Sequence, residues 1–192
     1  MTTFTRRTVI AGSAASAVMR VGSPAEAATA ADDLATFVDL SAILTGVDAN
    51  SLAPGVDPFK VKIEYFDLAK NVQPAFSQLL AFYTQNKSTD PKDTEQKDVA
   101  KKILNHNDPA IRALARSIML AWLTGSWYDP AALEKGINSS SVVSPKSYTQ
   151  GWVWRVAQTH PMGYSTLQFG YWQDPPLKPH FDISQFMIKE NA

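Results

Sequence analysis

Asp108-Pro-Ala-Ile-Arg-Ala-Leu-Ala-Arg-Ser-Ile-Met-Leu-Ala-Trp-Leu-Thr-Gly125 is the stretch that decides the fold of this 192-residue chain. Aspartate followed by proline typically starts a helix, because the carboxylate caps the first turn and proline fits its first position. Glycine is the usual terminator. The apolar residues recur at helical spacing over a wide arc, which predicts a central helix contacted on several sides: Ile111, Leu114, Ala115, Ile118, Met119 and Trp122.

The chain before this stretch contains four further helix patterns. The first is predicted to begin at a cap of Asp32 or Asp33 and to end at Gly46. The others begin near a proline, at Asp57-Pro58, Pro74 and Asp90-Pro91. Their predicted buried positions are Phe59, Ile63 and Phe66 for the second, Phe76, Leu79, Leu80 and Tyr83 for the third, and Val99, Ile103 and Leu104 for the fourth, which is otherwise solvated.

From Ser126 onward glycine, proline and serine become frequent, and helix periodicity survives only from about Tyr148 to Ala157. This C-terminal arm, about residues 126–192, is still rich in aromatic residues, which disordered tails are not. We therefore expect it to pack against its own bundle or against another subunit. The predicted fold class is all-α, a helical domain of about four to six helices followed by an irregular, aromatic-rich arm.

The N-terminus resembles an export signal. Arg6 and Arg7 precede a weakly apolar segment, Val9 to Met19, which Arg20 closes. Adjacent arginines before such a segment indicate the twin-arginine class. Small residues at Ala25-Glu26-Ala27 and Ala28-Thr29-Ala30 predict cleavage after one of these triplets. We thus expect a signal peptide at 1–27 and a single domain at 28–192; the alternative is a disordered, alanine-rich terminus.

Composition excludes several kinds of chemistry. The chain has no cysteine, so it cannot use a thiol nucleophile, cysteine-ligated zinc, an iron–sulfur cluster or covalently attached c-type haem. Eighteen basic and eighteen acidic residues balance to zero, which gives no electrostatic case for nucleic acid. The apolar segment near the N-terminus is too short and too weakly apolar to span a membrane.

No catalytic, cofactor-binding or metal-binding residue is predicted in this chain. His106, His160 and His180 are too far apart to form a local ligand motif, and we expect each to be structural or at the surface. Ser139-Ser140-Ser141 lacks the flanking glycines of a nucleophile elbow and is interpreted as a loop. Neither the dinucleotide fingerprint nor the P-loop occurs.

Four motifs, in order along the chain, resemble the small subunits of periplasmic, FAD-dependent sugar and polyol dehydrogenases of the sorbitol, fructose and glucose types. The matching segments are Phe37 to Gly46 (F-x-x-L-S-x-x-L-T-G), Ile118 to Gly125 (I-x-x-A-W-x-T-G), Tyr148 to Val156 (Y-x-x-x-x-x-W) and Phe169 to Pro176 (close to P-G-Y-W-x-x-P-P). The last segment departs from the family motif at Phe169, where the family has proline.

The resemblance implies a non-catalytic subunit with no cofactor of its own. FAD is then bound by a catalytic large subunit, and a multi-haem cytochrome c subunit passes electrons to the membrane. It further implies that the small subunit lends its signal to the large one, is read by the twin-arginine translocase, and lies in the periplasm, attached to the inner membrane through the complex. The partner-contact candidates are Tyr171, Trp172, Pro175 and Pro176, since a diproline beside two rings limits the entropy lost on docking.

Two alternatives remain open at this stage. The aromatic residues of the arm could stack on a sugar, which would make the chain a stand-alone periplasmic sugar-binding protein. A small independent hydrolase is a third possibility and requires activity without flavin or partner. The escort subunit of an FAD-dependent sugar or polyol dehydrogenase is the predicted function.

Overall fold

A computed structural model describes residues 24–87 and 93–161. This part of the chain is mostly helical, and five of its helices have ten or more residues, within the predicted range. The elements are α1 Pro24–Thr45, α2 Ala49–Leu52, α3 Val61–Lys70, α4 Ala75–Asn86, α5 Asp93–Leu104, α6 Pro109–Thr124, β1 Ser126–Tyr128, α7 Pro130–Glu134, β2 Ser140–Val142, α8 Pro145–Gln150 and α9 Trp152–Val156.

Helix α6 is the central element, as its sequence predicts. The Asp108 side chain accepts a hydrogen bond from the Ala110 amide, and Pro109 occupies the first turn. Gly125 ends the helix with a φ of 73°. The helix contacts α1, α3, α4 and α5 as well as the short elements that follow it. A helix surrounded in this way must be apolar around most of its circumference, which accounts for its wide apolar arc.

Aromatic side chains fill the core between α1, α3 and α4. The Phe37 ring meets the Phe66 ring edge to face at 5.6 Å, and Phe66 meets Phe76 in the same way at 5.7 Å. Such edge-to-face pairs stabilise a core beyond the apolar area that they bury. The pattern predicted for α4 is confirmed, since Phe76, Leu79, Leu80 and Tyr83 are all buried.

Helices α1 and α6 end with the same pattern of threonine hydrogen bonds. Thr45 donates its hydroxyl to the Ser41 carbonyl at 2.8 Å, and Thr124 donates to the Leu120 carbonyl at 2.8 Å. Each threonine oxygen also accepts the amide two residues on, from Val47 and Ser126. A glycine with positive φ follows each threonine, at Gly46 and Gly125. The Thr-Gly pairs of the first two sequence motifs are therefore helix terminators.

The first part of the arm is folded against α6 and contains a two-stranded antiparallel ribbon that the sequence did not predict. Strand β1 pairs with β2, with Trp127 opposite Ser141. The serine run is thus largely strand, and its interpretation as a loop is wrong. After the ribbon, Ser144 caps α8 through a capping box with Ser147.

Gly125 and Gly151 allow the arm to lie against the end of α6. A Cβ on Gly125 would lie 2.3 Å from the Ser147 carbonyl oxygen, and one on Gly151 would lie 3.0 Å from the Leu123 carbonyl oxygen. Any side chain at Gly125 would push α8 away from the helix end. Close backbone contact, in addition to the positive φ, accounts for glycine at this position.

Two predicted helix starts are wrong. Helix α1 already begins at Pro24, so Asp32 and Asp33 lie within it rather than at its cap. Helix α3 begins at Val61, because the Asp57 carboxylate accepts the Phe59 and Lys60 amides and holds the chain in a turn. The Asp90-Pro91 start lies outside the described residues.

Candidate partner-binding surface

An aromatic cavity lies between the loop before α3 and the α8–α9 segment. Its volume is about 150 Å³, and its wall includes Leu52, Pro58, Tyr65, Trp122, Trp152 and Arg155. A cavity of this size holds a single benzene-sized group. It is smaller than the sites of roughly 300–1,000 Å³ that bind drug-sized molecules. The cavity is therefore too small to enclose a drug-sized molecule.

Tyr65 is one of the residues that line this aromatic cavity. Its ring meets the Trp122 ring edge to face at 4.9 Å, and the side chain is almost completely buried. Burial raises the pKa of the Tyr65 phenol well above its ordinary value; a hydrogen bond with Ser147 opposes this shift, and the Glu64 carboxylate adds to it. A phenol that stays neutral in this way is neither a base nor a nucleophile at physiological pH.

The indole nitrogen of Trp122 is a buried hydrogen-bond donor. Within the described residues, Nε1 is buried and has no acceptor. A buried donor without a partner costs about 1–3 kcal/mol, and such groups in native structures call for an explanation. Trp122 also lines the aromatic cavity.

Helix α9 provides the opposite wall. The Arg155 guanidinium lies over the Trp152 ring at 4.6 Å, a cation–π contact that places a positive charge at the cavity. Next to it, Trp154 donates its indole N–H to the Tyr148 carbonyl at 2.7 Å, and the two rings pack at 5.2 Å. The third sequence motif, Tyr148 to Val156, thus contributes Gln150, Trp152 and Arg155 to the wall of the aromatic cavity.

Exposed apolar side chains lie on the loop beside the cavity and at the start of α3. We name Val56, Phe59 and Ile63 the apolar loop face; their exposed fractions are 88%, 41% and 41%. The prediction that Phe59 and Ile63 form a buried stripe is therefore wrong, whereas Phe66 is buried as predicted. The actual buried face of α3 consists of Val61, Tyr65, Phe66 and Ala69. Neighbouring apolar residues left open to solvent are typical of a surface that meets a partner.

The two histidines of the described segments make local contacts. The His106 Nδ1 accepts the Asp108 amide at 3.0 Å, and its ring packs against Phe82 at 4.8 Å. The His106 carbonyl also accepts a hydrogen bond from Arg112. His160 Nδ1 lies 3.3 Å from the Pro161 carbonyl oxygen. Residues 24–87 and 93–161 contain no cluster of three or more side chains that could hold a metal ion.

The residues predicted from sequence to contact partners lie outside the described residues. This applies to the arginine pair, Arg6 and Arg7, and to Tyr171, Trp172, Pro175 and Pro176 of the arm. The cavity was not predicted. The only sequence signal for the cavity is that the motifs Ile118 to Gly125 and Tyr148 to Val156 each contain tryptophan. In the structure, both segments contribute residues to the cavity wall.

Fold and surface define a small helical domain with a central helix, an aromatic cavity and an apolar face. Residues 4–176 match the family FAD-SLDH, described as membrane bound FAD containing D-sorbitol dehydrogenase. The chain belongs to this family, as its small subunit, which confirms the resemblance seen in the sequence. Comparison with curated proteins and with solved structures gave no match.

The described residues do not fit the FAD that the family name implies. Dinucleotide-binding folds place a glycine-rich loop between a parallel strand and a helix. The part of the chain that the structure describes contains only the antiparallel ribbon, and no G-x-G-x-x-G occurs in the sequence. Within that same part, no helix combines the length and the apolar character needed to cross a membrane.

Proposed function

We propose that this chain is the non-catalytic escort subunit of a membrane-bound, FAD-dependent sugar or polyol dehydrogenase. In this role it binds the catalytic subunit in the cytoplasm, assists its maturation and carries it through the twin-arginine translocase. The observation that carries the proposal is the extent of the family match, residues 4–176. It includes the arginine pair at one end and Tyr171 to Pro176 at the other, so both belong to the region shared with the dehydrogenase family.

The chemistry of the described residues supports a binding role. The polar groups that line the aromatic cavity include a neutral phenol, an indole and a guanidinium stacked on a ring. The phenol, whose pKa is raised by burial, is not activated as a base or nucleophile. The exposed groups beside them are apolar, and apolar surface serves association rather than catalysis.

The proposed complex has three parts besides the translocase. A large subunit binds FAD and oxidises the substrate, and a multi-haem cytochrome c passes electrons to the membrane. The present chain holds the large subunit through Tyr171, Trp172, Pro175 and Pro176, together with the apolar loop face. It lies in the periplasm after cleavage following Ala27 and is attached to the inner membrane through the other subunits.

Exchange of the arginine pair tests the escort role. The variant with Arg6→Lys and Arg7→Lys is co-expressed with the catalytic subunit. Dehydrogenase activity is expected to remain in the cytoplasmic fraction, and periplasmic activity is expected to fall roughly tenfold or more. Arg20→Lys is the matched control, because it makes the same exchange outside the pair and should leave export normal. Normal periplasmic activity of the double variant would reject the proposal.

Affinity purification separates this function from a stand-alone sugar-binding role. The tagged chain is expected to co-purify with a protein that has flavin absorbance and oxidises a sugar or polyol. Titration of sugars against tryptophan fluorescence of the isolated chain should give no saturable response. A saturable response without a flavin-containing partner would favour the sugar-binding function.

A further inference from the structure

An open hollow with a positively charged lining lies where the end of α5 meets the start of α6. We name it the α5–α6 hollow; its volume is about 470 Å³, and it is lined by Phe82, Lys101, Lys102, Asn105, His106 and Asn107. Among these described lining residues there is no aspartate or glutamate. Two ammonium groups repel a metal ion and attract an anion, so the hollow suits a negatively charged ligand.

The loop that follows α5 does not need the two lysines to satisfy its carbonyl groups. Lysine in the last turn of a helix is favoured by the helix dipole, so the positions of Lys101 and Lys102 alone do not indicate a ligand. The Arg112 guanidinium, however, already donates hydrogen bonds to the carbonyls of His106 and Asn107. The lysine ammonium groups are therefore not required as donors at this helix end.

Both lysine side chains remain available to a ligand. The Lys101 ammonium lies 3.7 Å from the Asp98 carboxylate, but these side chains are 73% and 57% exposed, and ion pairs in water contribute little. Within residues 24–87 and 93–161, the Lys102 side chain has neither an ion pair nor a hydrogen bond. An anion in the hollow would gain two positive charges without breaking a strong internal contact.

His106 adds a hydrogen-bond donor to the lining. Its Nδ1 accepts the Asp108 amide at 3.0 Å, so the neutral ring carries its hydrogen on Nε2. The ring packs edge to face against Phe82 at 4.8 Å, which holds it in place. The Asp108 carboxylate accepts the Ala110 amide at 2.9 Å and is thereby engaged in capping α6. The imidazole therefore presents a donor, as the lysines do.

We propose that the α5–α6 hollow binds a phosphate group, carried either by a small soluble ester or by a membrane lipid. Lys101 and Lys102 supply the positive charge, and lysine is a common phosphate ligand. The side-chain amides of Asn105 and Asn107 donate hydrogen bonds to phosphate oxygens. Sites of about 300–1,000 Å³ bind small organic molecules, so the hollow has room for the group to which the phosphate is bonded. This binding does not rest on the proposed function, since it requires no contact with the catalytic subunit.

Titration of glycerol phosphate into the full chain tests for a soluble ligand. Calorimetry is carried out at constant ionic strength, so that general screening does not change. Where the native chain binds, the variant with Lys101→Gln and Lys102→Gln is expected to bind about tenfold more weakly or worse, because charge-assisted hydrogen bonds are lost. The matched control is Lys135→Gln with Lys146→Gln, which removes the same charge at exposed positions outside the hollow. It should bind within about twofold of the native chain.

Sedimentation with lipid vesicles tests for a lipid source. The full chain is mixed with vesicles of phosphatidylglycerol and phosphatidylcholine, and with vesicles of phosphatidylcholine alone, whose headgroup has no net charge. Binding to the mixed vesicles only would assign the phosphate to an anionic lipid, whereas binding to glycerol phosphate without vesicle binding would assign a soluble ester. Loss of the two lysines is expected to weaken vesicle binding at least about tenfold, since each basic residue at such a surface contributes about fivefold.

The imidazole signals report where the ligand binds. Addition of glycerol phosphate, or of a soluble short-chain phosphatidylglycerol, is expected to shift the ring signals of His106 and to leave those of His160, which does not line the hollow, unchanged. Comparison with His106→Gln identifies the signals. The proposal is overturned if neither phosphate source binds, if the control variant weakens binding as much as the lysine variant, or if a bound ligand leaves the His106 signals in place.

Discussion

The Ser144 hydroxyl donates a hydrogen bond of 2.7 Å to the Glu64 carboxylate, and this contact joins two segments separated by eighty residues. Ser144 is the N-cap of α8, where its oxygen also accepts the Ser147 amide at 3.1 Å. Glu64 lies in the first turn of α3. Helix α8 is thus joined by a hydrogen bond to the helix that supplies Tyr65 to the aromatic cavity.

Removal of this hydroxyl should loosen the arm. We expect Ser144→Ala to lower the free energy of unfolding by about 1–2 kcal/mol, because the α8 cap and the hydrogen bond to Glu64 are both lost. Chemical denaturation monitored by circular dichroism measures the change. Ser139→Ala is the control, since Ser139 is exposed and its side chain makes no described hydrogen bond; a loss of equal size there would contradict the argument.

Gly125 and Gly136 form a matched pair for the close contact between α6 and α8. Both have a φ of 73°, but a Cβ on Gly136 would meet nothing within 4 Å, whereas one on Gly125 would meet the Ser147 carbonyl oxygen. We expect Gly136→Ala to cost about 1–2 kcal/mol for the left-handed backbone alone. Gly125→Ala should cost at least about 2 kcal/mol more. Thermal denaturation compares the two, and equal losses would show that the contact is unimportant.

The sequence predicted elements whose signals are local. The cap at Asp108 and the terminator at Gly125 lie at the ends of one apolar pattern, and α6 follows it closely. The start of α3 was misplaced because aspartate before proline fits two structures. At Asp57 the carboxylate accepts two loop amides and forms a turn, whereas at Asp108 the same pair caps a helix. The choice between them depends on tertiary packing.

The ribbon and the aromatic cavity could not be predicted because both depend on contacts distant in sequence. The strand that contains Ser140 and Ser141 has no apolar alternation, and it becomes a strand only by pairing with Trp127 and its neighbours. The cavity requires α3, α6 and α9 to converge, so that Tyr65, Trp122 and Trp152 face one space. Each of these residues alone has the pattern of an ordinary core position.

Alkaline pH should destabilise the fold through its buried tyrosines. Burial raises the pKa of Tyr83 to about 12, and the Asp39 carboxylate adds to the shift. The contribution of Tyr83 to the unfolding free energy is therefore fully present below pH 10, where the phenol is neutral in the folded and the unfolded state. It is lost as the pH rises from 10 to 12. For one such group the contribution is about 2–3 kcal/mol. Tyr65 is shifted in the same direction, so Tyr83→Phe should remove about half of the alkaline decline in unfolding free energy. A decline of unchanged size would contradict this assignment.

The apolar loop face should contribute to capture of the catalytic subunit, a prediction that rests on the proposed function. Phe59 and Ile63 are each 41% exposed, and the Asp57 turn holds Phe59 in place. The double variant Phe59→Ser and Ile63→Ser is expected to weaken the complex about tenfold or more, because central apolar side chains dominate binding energy. Since both side chains are more than half buried, the unfolding free energy of the isolated chain should also fall, by about 1–3 kcal/mol.

Ile137→Ser is the control for that experiment. Ile137 is 56% exposed but follows α7, in a different part of the chain from the apolar loop face. It loses the same kind of apolar area, so any general effect of surface polarity on solubility or expression appears in it equally. Affinity is measured with the purified catalytic subunit by titration at constant ionic strength. Equal weakening by the control and the double variant would show that binding depends on overall apolar surface, and unchanged affinity in both would place the contact on the arm alone.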